Sequence, residues 1–258
     1  MNKVASAFTQ GKAFIAYLMA GDPNLQASAQ YILTAQEAGA DLIEVGIPFS
    51  DPIAEGPVIQ AAGLRALATG TRLTDVFDMV SSIKDKLHVP LVFMTYLNPV
   101  FVYGYQRFFA KCAQLGVAGV IIPDLPFEEQ DEAVGHAAQH GIQLITLIAP
   151  TTNERIARIA RSAQGFIYLV SSMGVTGVRE EITTDLRSMV AEIRSVTDTP
   201  VAIGFGIATT QQAAHFAGLA DGVIVGSAVV DIIAKHGAQA SEPLYDYIRQ
   251  MKLAVSAD

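Results

Sequence analysis

Glu44 is the residue whose type and position in this sequence most clearly suggest chemistry. It interrupts a short apolar run, Leu42 to Val45, that is typical of a β-strand. Successive side chains of a strand point to opposite faces, so Glu44 points away from Ile43 and Val45. If those two residues pack outward under helices, the carboxyl group points into the interior near the carboxyl end of the strand. Such a group is either satisfied by backbone N–H groups or a hidden arginine, or it is a general acid/base with a raised pKa.

The loop after this strand carries further polar side chains, Ser50, Asp51 and Glu55, between prolines. Elsewhere, three glycine-rich segments could bind an anion: residues 174–177, 204–206 and 225–228. Glycines let the backbone approach a phosphate, and a helix N-terminus supplies unpaired N–H groups and a favourable dipole. Ser227 opens an apolar segment that predicts such a helix, and none of the three segments contains Lys or Arg. A phosphate would therefore be bound by backbone amides.

Eight apolar runs that alternate with helical patterns must position these groups. The predicted strands are residues 14–19, 42–45, 90–96, 119–123, 142–148, 165–170, 200–203 and 222–225. Predicted helices include residues 59–68, 105–115, 128–139, 153–162, 185–195, 210–217 and 228–234, and Asp22 and Thr74 are predicted N-caps. Strict alternation predicts parallel strands, and eight units in 258 residues favour a closed (β/α)8 TIM barrel.

We predict a single barrel domain spanning residues 1–258, with an extra helix after strand 2 and a short phosphate-binding helix after strand 8. In such barrels the chemistry lies at the carboxyl ends of the strands, and the loops after strands 7 and 8 form the usual phosphate site. Glu44 and the loops at 204–206 and 225–228 are all predicted at this end.

Composition excludes several other classes of protein. The net charge of −8, with no run of Lys or Arg, disfavours nucleic-acid binding. No window approaches the roughly 20 apolar residues of a membrane span, and the N-terminus lacks a signal-peptide core, so we expect a cytoplasmic protein. The single cysteine, Cys112, is expected in the core rather than as a nucleophile. The five histidines suggest no metal site.

Six segments resemble the α subunit family of tryptophan synthase, and together they extend over nearly the whole chain. They are AGDP at 20–23, PFSDPIAEGPVIQ at 48–60, IPDLP at 122–126, FIYLVSSMGVTG at 166–177, GFGI at 204–207 and DGVIVGSA at 221–228. The resemblance implies a lyase of tryptophan biosynthesis that cleaves indole-3-glycerol phosphate to indole and glyceraldehyde 3-phosphate. It also implies an α2β2 heterotetramer with a β subunit that holds pyridoxal phosphate and receives the indole, whereas this chain would carry no cofactor or metal.

The resemblance also implies roles for individual residues. Glu44 would be the catalytic acid/base, and Glu55 would accept the indole N–H, although the family usually has an Asp at this position. The implied substrate-binding residues are Tyr17, Tyr168, Thr176, Gly177, Gly206, Gly226 and Ser227. Asp51 would serve lid closure or the β-subunit surface, and Asp124 would be a loop cap.

Three functional hypotheses follow from these observations. The first is the lyase, and the second is another enzyme on the same phosphate-binding scaffold. The predicted strands, however, offer no Schiff-base lysine, and no histidine is predicted at the barrel mouth. The third is a catalytically weakened subunit that mainly activates its β partner, suggested by Glu55 in place of Asp. An exposed loop position for Glu55 and an ordinary core position for Tyr168 remain the structural alternatives.

Overall fold

The strands of the computed structural model, which describes residues 4–150, 153–170, 185–204 and 206–256, form a closed parallel barrel. They pair in chain order, and β8 returns to β1. The strands are β1 Ala13–Met19, β2 Leu42–Gly46, β3 Leu91–Met94, β4 Gly119–Ile121, β5 Gln143–Ile148, β6 Gln164–Val170, β7 Val201–Gly204 and β8 Gly222–Val225. The predicted (β/α)8 architecture is therefore confirmed.

Helices surround this barrel and connect its strands. They are α1 Leu25–Glu37, α2 Pro57–Ala68, α3 Leu73–Ile83, α4 Leu97–Tyr103, α5 Tyr105–Leu115, α6 Asp131–Gln139, α7 Asn153–Ser162, α8 Leu186–Arg194, α9 Thr210–Ala217, α10 Ser227–His236 and α11 Ser241–Ser256. Short 3-10 turns occupy Ala5–Phe8, Lys84–Lys86, Phe127–Glu129 and Gly237–Gln239. The insertion predicted after the second strand is α2, and the short helix predicted after the eighth is α10.

The strands are buried on both faces, and their alternating side chains form two separate apolar layers. Ile43 and Val45 belong to the outer layer, between strands and helices. Tyr17 and Tyr168 belong to the inner layer, which fills the barrel. Because Glu44 alternates with Ile43 and Val45, its side chain points into the barrel, as the strand pattern predicts.

The helix cap predicted at Asp22 is wrong. Asn24 is the N-cap of α1, and its side-chain oxygen accepts a hydrogen bond from the Ala27 N–H at 2.9 Å. Asp22 precedes that position by two residues, so its carboxylate is free for another partner. It accepts hydrogen bonds from Nε and Nη2 of Arg65 at 2.8 and 2.7 Å, which joins the loop after β1 to α2.

Other predicted boundaries also shift. Thr74 lies inside α3, whose N-cap is Arg72, and the Asp75 carboxylate accepts the Arg72 N–H at 2.9 Å. The predicted helix at 128–139 divides into a 3-10 turn and α6. The third strand ends at Met94 instead of residue 96, since the chain turns at once into α4, with Tyr96 as its N-cap. Helices α4 and α11 were not predicted.

Candidate active site

A cavity opens at the carboxyl ends of the strands, and Glu44 is in its wall. Glu44 is only 1% exposed and pairs in register with Tyr17 of β1 and Val92 of β3. The space in the cavity, counted together with the solvent at its open mouth, is about 460 Å³. Its lining residues are Tyr17, Glu44, Ala54, Glu55, Ile59, Met94, Tyr168, Gly206, Ile207, Ile224, Gly226 and Ser227.

One oxygen of the Glu44 carboxyl group has no structural partner in the described part of the chain. This atom, Oε2, is buried without a hydrogen-bond partner among the residues that the structure describes. Burial, and then the charge of Glu55, raise the pKa of Glu44 to about 8. For Oε2, the described residues therefore provide neither the arginine nor the backbone N–H groups of the structural alternative. A group with this pKa can give up or take up a proton near neutrality.

Glu55 comes from the loop between β2 and α2 and shares the cavity with Glu44. Its exposure is 6%, against 72% for Ile53 two residues earlier, so the interpretation of Glu55 as an exposed loop residue is wrong. The side-chain amide of Gln60, on the first turns of α2, donates to the Glu55 carbonyl at 2.7 Å. Burial raises the pKa of Glu55 to about 7, although the neighbouring Tyr96 hydroxyl opposes the shift.

Tyr96 is a site residue that the sequence analysis did not single out. Its hydroxyl oxygen accepts a hydrogen bond from the Ala54 N–H at 3.1 Å. Its ring packs on Phe49 with 5.3 Å between centroids. Its position at the end of the third predicted strand was a signal that could have identified it, because functional groups of barrels concentrate there.

Tyr17 and Tyr168 complete the inner wall, and two strand-end glycines make room for them. A Cβ atom on Gly46 would overlap the Tyr17 hydroxyl, and one on Gly204 would lie 2.6 Å from the Tyr168 hydroxyl. Burial is the main reason that both tyrosine pKa values lie well above 10.0. Both rings are therefore neutral at physiological pH, and they form an amphipathic wall beside Glu44.

Gly206, Gly226 and Ser227 also line the cavity. Gly226 is the N-cap of α10, Ser227 is its first residue, and Gly206 has a left-handed φ of +80°. The first N–H groups of a helix have no partner within the helix, so α10 presents unpaired donors and a positive dipole end to the cavity. The described lining residues include no Lys or Arg, so an anion bound here would depend on backbone N–H groups.

Four predicted residues remain, and the structure describes two of them, Asp51 and Asp124. Thr176 and Gly177 lie outside the described residues, as does the rest of the loop at 174–177. Asp51 is exposed and hydrogen-bonds Ser50 rather than lining the cavity. Asp124, which was predicted as a loop cap, accepts the Leu97 N–H at 2.9 Å at the start of α4.

Metal-binding clusters and Cys112 provide no second chemical centre in the described part of the chain. There, no three His, Cys, Asp or Glu side chains are grouped to hold a metal ion. Cys112 is fully buried in the core as predicted, and burial raises the pKa of its thiol. Among the described helices, none is long and apolar enough to cross a membrane.

Comparisons with known proteins agree with this geometry. The model of the family described as tryptophan synthase alpha chain matches residues 5–256. Tryptophan synthase alpha chains from Lacticaseibacillus casei and Lactiplantibacillus plantarum are 51% and 52% identical to this sequence, covering 100% and 99% of it and 97% of each relative.

Solved structures give the same result. A structure of Mycobacterium tuberculosis tryptophan synthase includes a chain that superposes with a TM-score of 0.91 at 35% identity, covering 100% of this chain and 99% of that one. The alpha subunit from Campylobacter jejuni superposes with a TM-score of 0.84 at 36% identity, covering 95% and 97%. Sequence and structure therefore agree that this chain belongs to the tryptophan synthase alpha chain family.

Proposed function

We propose that this chain cleaves indole-3-glycerol phosphate to indole and glyceraldehyde 3-phosphate by a retro-aldol reaction. The observation that carries the proposal is the presence of two buried carboxyl groups, Glu44 and Glu55, in one cavity that also holds the N-terminus of α10. An apolar cavity that combines acid/base groups with anion-binding N–H groups suits an aromatic substrate that bears a phosphate.

Glu44 is the general acid and base in this proposal. Its protonated form donates to C3 of the indole ring, which gives a cationic ring. The carboxylate then removes the proton from the glycerol hydroxyl next to the scissile bond. The O–H electron pair forms the aldehyde carbonyl, and the electron pair of the breaking C–C bond returns to the ring. A pKa of about 8 makes both protonation states accessible near neutrality.

Glu55 stabilises the cationic ring by accepting a hydrogen bond from the indole N–H. A carboxylate is useful here because positive charge develops on the ring only after C3 is protonated. The Glu55 side chain is one methylene longer than Asp, but its carboxyl group is inside the cavity. This placement argues against the hypothesis of a catalytically weakened subunit, which depended on that difference.

The other side chains bind and orient the substrate. The N-terminus of α10, with Gly226 and Ser227, and the turn at Gly206 would receive the phosphate. Tyr17 and Tyr168 would contact the indole ring and the acid/base. Thr176 and Gly177 remain predicted contacts from the loop after β6.

The proposed partner is the β subunit of tryptophan synthase in an α2β2 heterotetramer. Pyridoxal phosphate would belong to that subunit, which would receive the indole, and this chain would need no cofactor of its own. The proposal rests on family membership, since the relatives are tryptophan synthase alpha chains.

Release of indole from indole-3-glycerol phosphate tests the proposal. Measurements with the purified chain, with and without β subunit, should give indole release that Glu44→Gln abolishes and that Glu55→Gln lowers by more than tenfold. Glu55→Asp should retain more activity than Glu55→Gln because it keeps the carboxylate. Glu37→Gln, at an exposed position at the end of α1, is the matched control and should be unaffected.

Two results would contradict the assignments. A loss of less than tenfold in Glu55→Gln would remove Glu55 from the reaction. Absence of indole release by the wild-type chain, with β subunit present, would exclude the lyase activity and favour a subunit that only activates its partner.

A further inference from the structure

Helix α2 begins two residues after Glu55, so its position determines where that carboxyl group lies. The helix packs against β1 and α10, and its buried residues are Ile59, Ala62, Gly63 and Ala66. Three of these four are alanine or glycine, so the buried face has few side chains that could interlock with its neighbours. Ridges of side chains that fit into grooves fix one helix against another. Apolar packing therefore holds α2 against the barrel but fixes its position along its own axis only weakly.

An ion pair near the other end of α2 supplies the fixed point that the packing lacks. The Asp22 carboxylate is 1% exposed and accepts two hydrogen bonds from one guanidinium group, from Nε of Arg65 at 2.8 Å and from Nη2 at 2.7 Å. A bidentate contact between arginine and a carboxylate fixes the relative orientation of the two groups as well as their distance. The pair thus sets where α2 lies along its axis relative to the loop after β1.

The loop after β1 is itself held in place, so it can serve as an anchor. The Ser28 hydroxyl oxygen accepts the Gly21 N–H at 3.0 Å, and the same hydroxyl donates to the Asn24 carbonyl at 3.0 Å. Gly21 also packs against Thr71, just after α2, so closely that a Cβ atom at Gly21 would overlap the Thr71 hydroxyl. The two segments that the ion pair joins are therefore also in direct contact beside it.

The helix transmits this fixed position to the loop that carries Glu55. Arg65 and Gln60 are about one and a half turns apart on α2. The side-chain amide of Gln60 donates to the Glu55 carbonyl at 2.7 Å, which ties the loop to the helix. Just before Glu55, the Ala54 N–H donates to the Tyr96 hydroxyl at 3.1 Å, which ties the loop to the end of β3. A displacement of α2 along its axis would therefore move the Glu55 backbone and break the contact at Ala54.

We propose that Asp22 and Arg65 are positioning residues that fix α2 along its axis and thereby place the Glu55 carboxyl group in the active site. Neither residue lines the cavity, so both act on the reaction only through the helix. Displacement of a reacting group by about 1 Å can cost about 100-fold in rate. This catalytic consequence rests on the proposed function, whereas the position of the loop does not.

Two variants separate positioning from stability. Arg65→Met keeps the aliphatic part of the side chain but leaves the Asp22 carboxylate buried and unpaired, which is strongly destabilising. The double variant Asp22→Asn/Arg65→Met also lacks the ion pair but has no unpaired charge, so its midpoint of urea unfolding should lie above that of Arg65→Met. If the pair only stabilised the fold, activity would recover together with stability. If the pair positions Glu55, the double variant remains as impaired as the single one.

Amide hydrogen exchange at Ala54, followed by NMR without substrate, tests the position of the loop directly. We expect Ala54 to exchange at least about tenfold faster in both variants than in wild type, and by a larger factor than the amides of the barrel strands. Arg194→Met is the matched control, because Arg194 of α8 also pairs with a loop carboxylate, that of Asp221 at 2.9 Å, but at the amino ends of the strands. It should leave Ala54 exchange and activity unchanged.

Steady-state release of indole provides the second readout. In both variants kcat should fall by about tenfold or more, whereas KM should change less because the N-terminus of α10 stays in place. A double variant with restored kcat would overturn the proposal, and so would wild-type exchange of Ala54 in folded Arg65→Met. Absence of cleavage by the wild type would contradict only the proposed function, since Ala54 exchange would still report the position of the loop.

Discussion

Glu44 and Glu55 make the stability of the folded chain depend on pH in a direction opposite to that of ion-paired carboxylates. Their pKa values rise from 4.5 to about 8 and about 7, so the folded state holds protons that the unfolded state has already lost. The free energy of unfolding decreases with pH wherever the folded state binds more protons. This contribution is therefore most favourable below pH 4.5 and is lost as pH rises to about 8.

Glu44→Gln should remove most of this pH dependence, because the amide cannot ionise. We expect the variant to be more stable than wild type at pH 9, by on the order of 1–3 kcal/mol, and to differ little from it near pH 4.5. Urea unfolding at the two pH values measures the difference, with Glu37→Gln as the exposed control. Equal stability of Glu44→Gln and wild type at pH 9 would show that burial does not raise this pKa.

Individual residues differ in how far the sequence can predict them. The inward direction of Glu44 follows from strand alternation alone, which is a local rule. The role of Tyr96 depends on a loop folding back so that Ala54, 42 residues earlier, meets its hydroxyl, and no local pattern encodes that contact. Asp22 was misassigned because its partner, Arg65, is 43 residues away in the sequence.

The contribution of α10 to the site comes from the helix as a whole, because its N-terminus rather than a charged side chain faces the cavity. Ser227→Asp adds a carboxylate at the first helical position, which suits the helix dipole but repels a phosphate. We expect the KM for indole-3-glycerol phosphate to rise by about tenfold or more without loss of stability. Steady-state kinetics and thermal unfolding measure the two effects.

Ser241→Asp is the matched control for this prediction. Ser241 is the first residue of α11, is half-buried like Ser227 and does not line the cavity. The same substitution there should leave KM unchanged. Equal KM values for Ser227→Asp and wild type would mean that the phosphate does not bind at the N-terminus of α10.

Secondary-structure elements were more predictable than their ends. The strands agree with prediction to within about two residues because continuous apolar runs suit strands that are buried on both faces. Helix α4 was missed because it is short, contains Pro99 and follows β3 almost directly. Helix α11 was missed because it lies beyond the eight repeating units, where it packs on α9 and α1.

Closure of the whole barrel depends on a close approach between its first and last strands. Gly222 of β8 pairs with Ala13 of β1, and a Cβ atom at Gly222 would lie 2.9 Å from the Ala13 carbonyl oxygen. Backbone at that distance cannot move without disturbing the pairing of β1 with β8. The closing seam therefore requires a residue without a side chain.

Gly222→Ala should destabilise the chain by about 1–3 kcal/mol through this overlap. The same substitution at Gly135, in the interior of α6 with nothing within 4 Å of a Cβ atom, should stabilise it by about 0.5–1 kcal/mol. Urea unfolding of both variants measures the contrast. If both changes have the same sign, the tight contact at the seam does not limit barrel closure.

Gly46 and Gly204 have a consequence for which sequences this active site can tolerate. A tyrosine ring occupies the space that a side chain at each of these positions would need. Even a methyl group at either position would therefore push Tyr17 or Tyr168 toward the substrate. The size of the cavity is thus limited by two residues that lie behind the tyrosines and are not among those that line it. We expect efforts to broaden the accepted aromatic group to succeed by shortening the tyrosines, and to fail by enlarging the residues that support them.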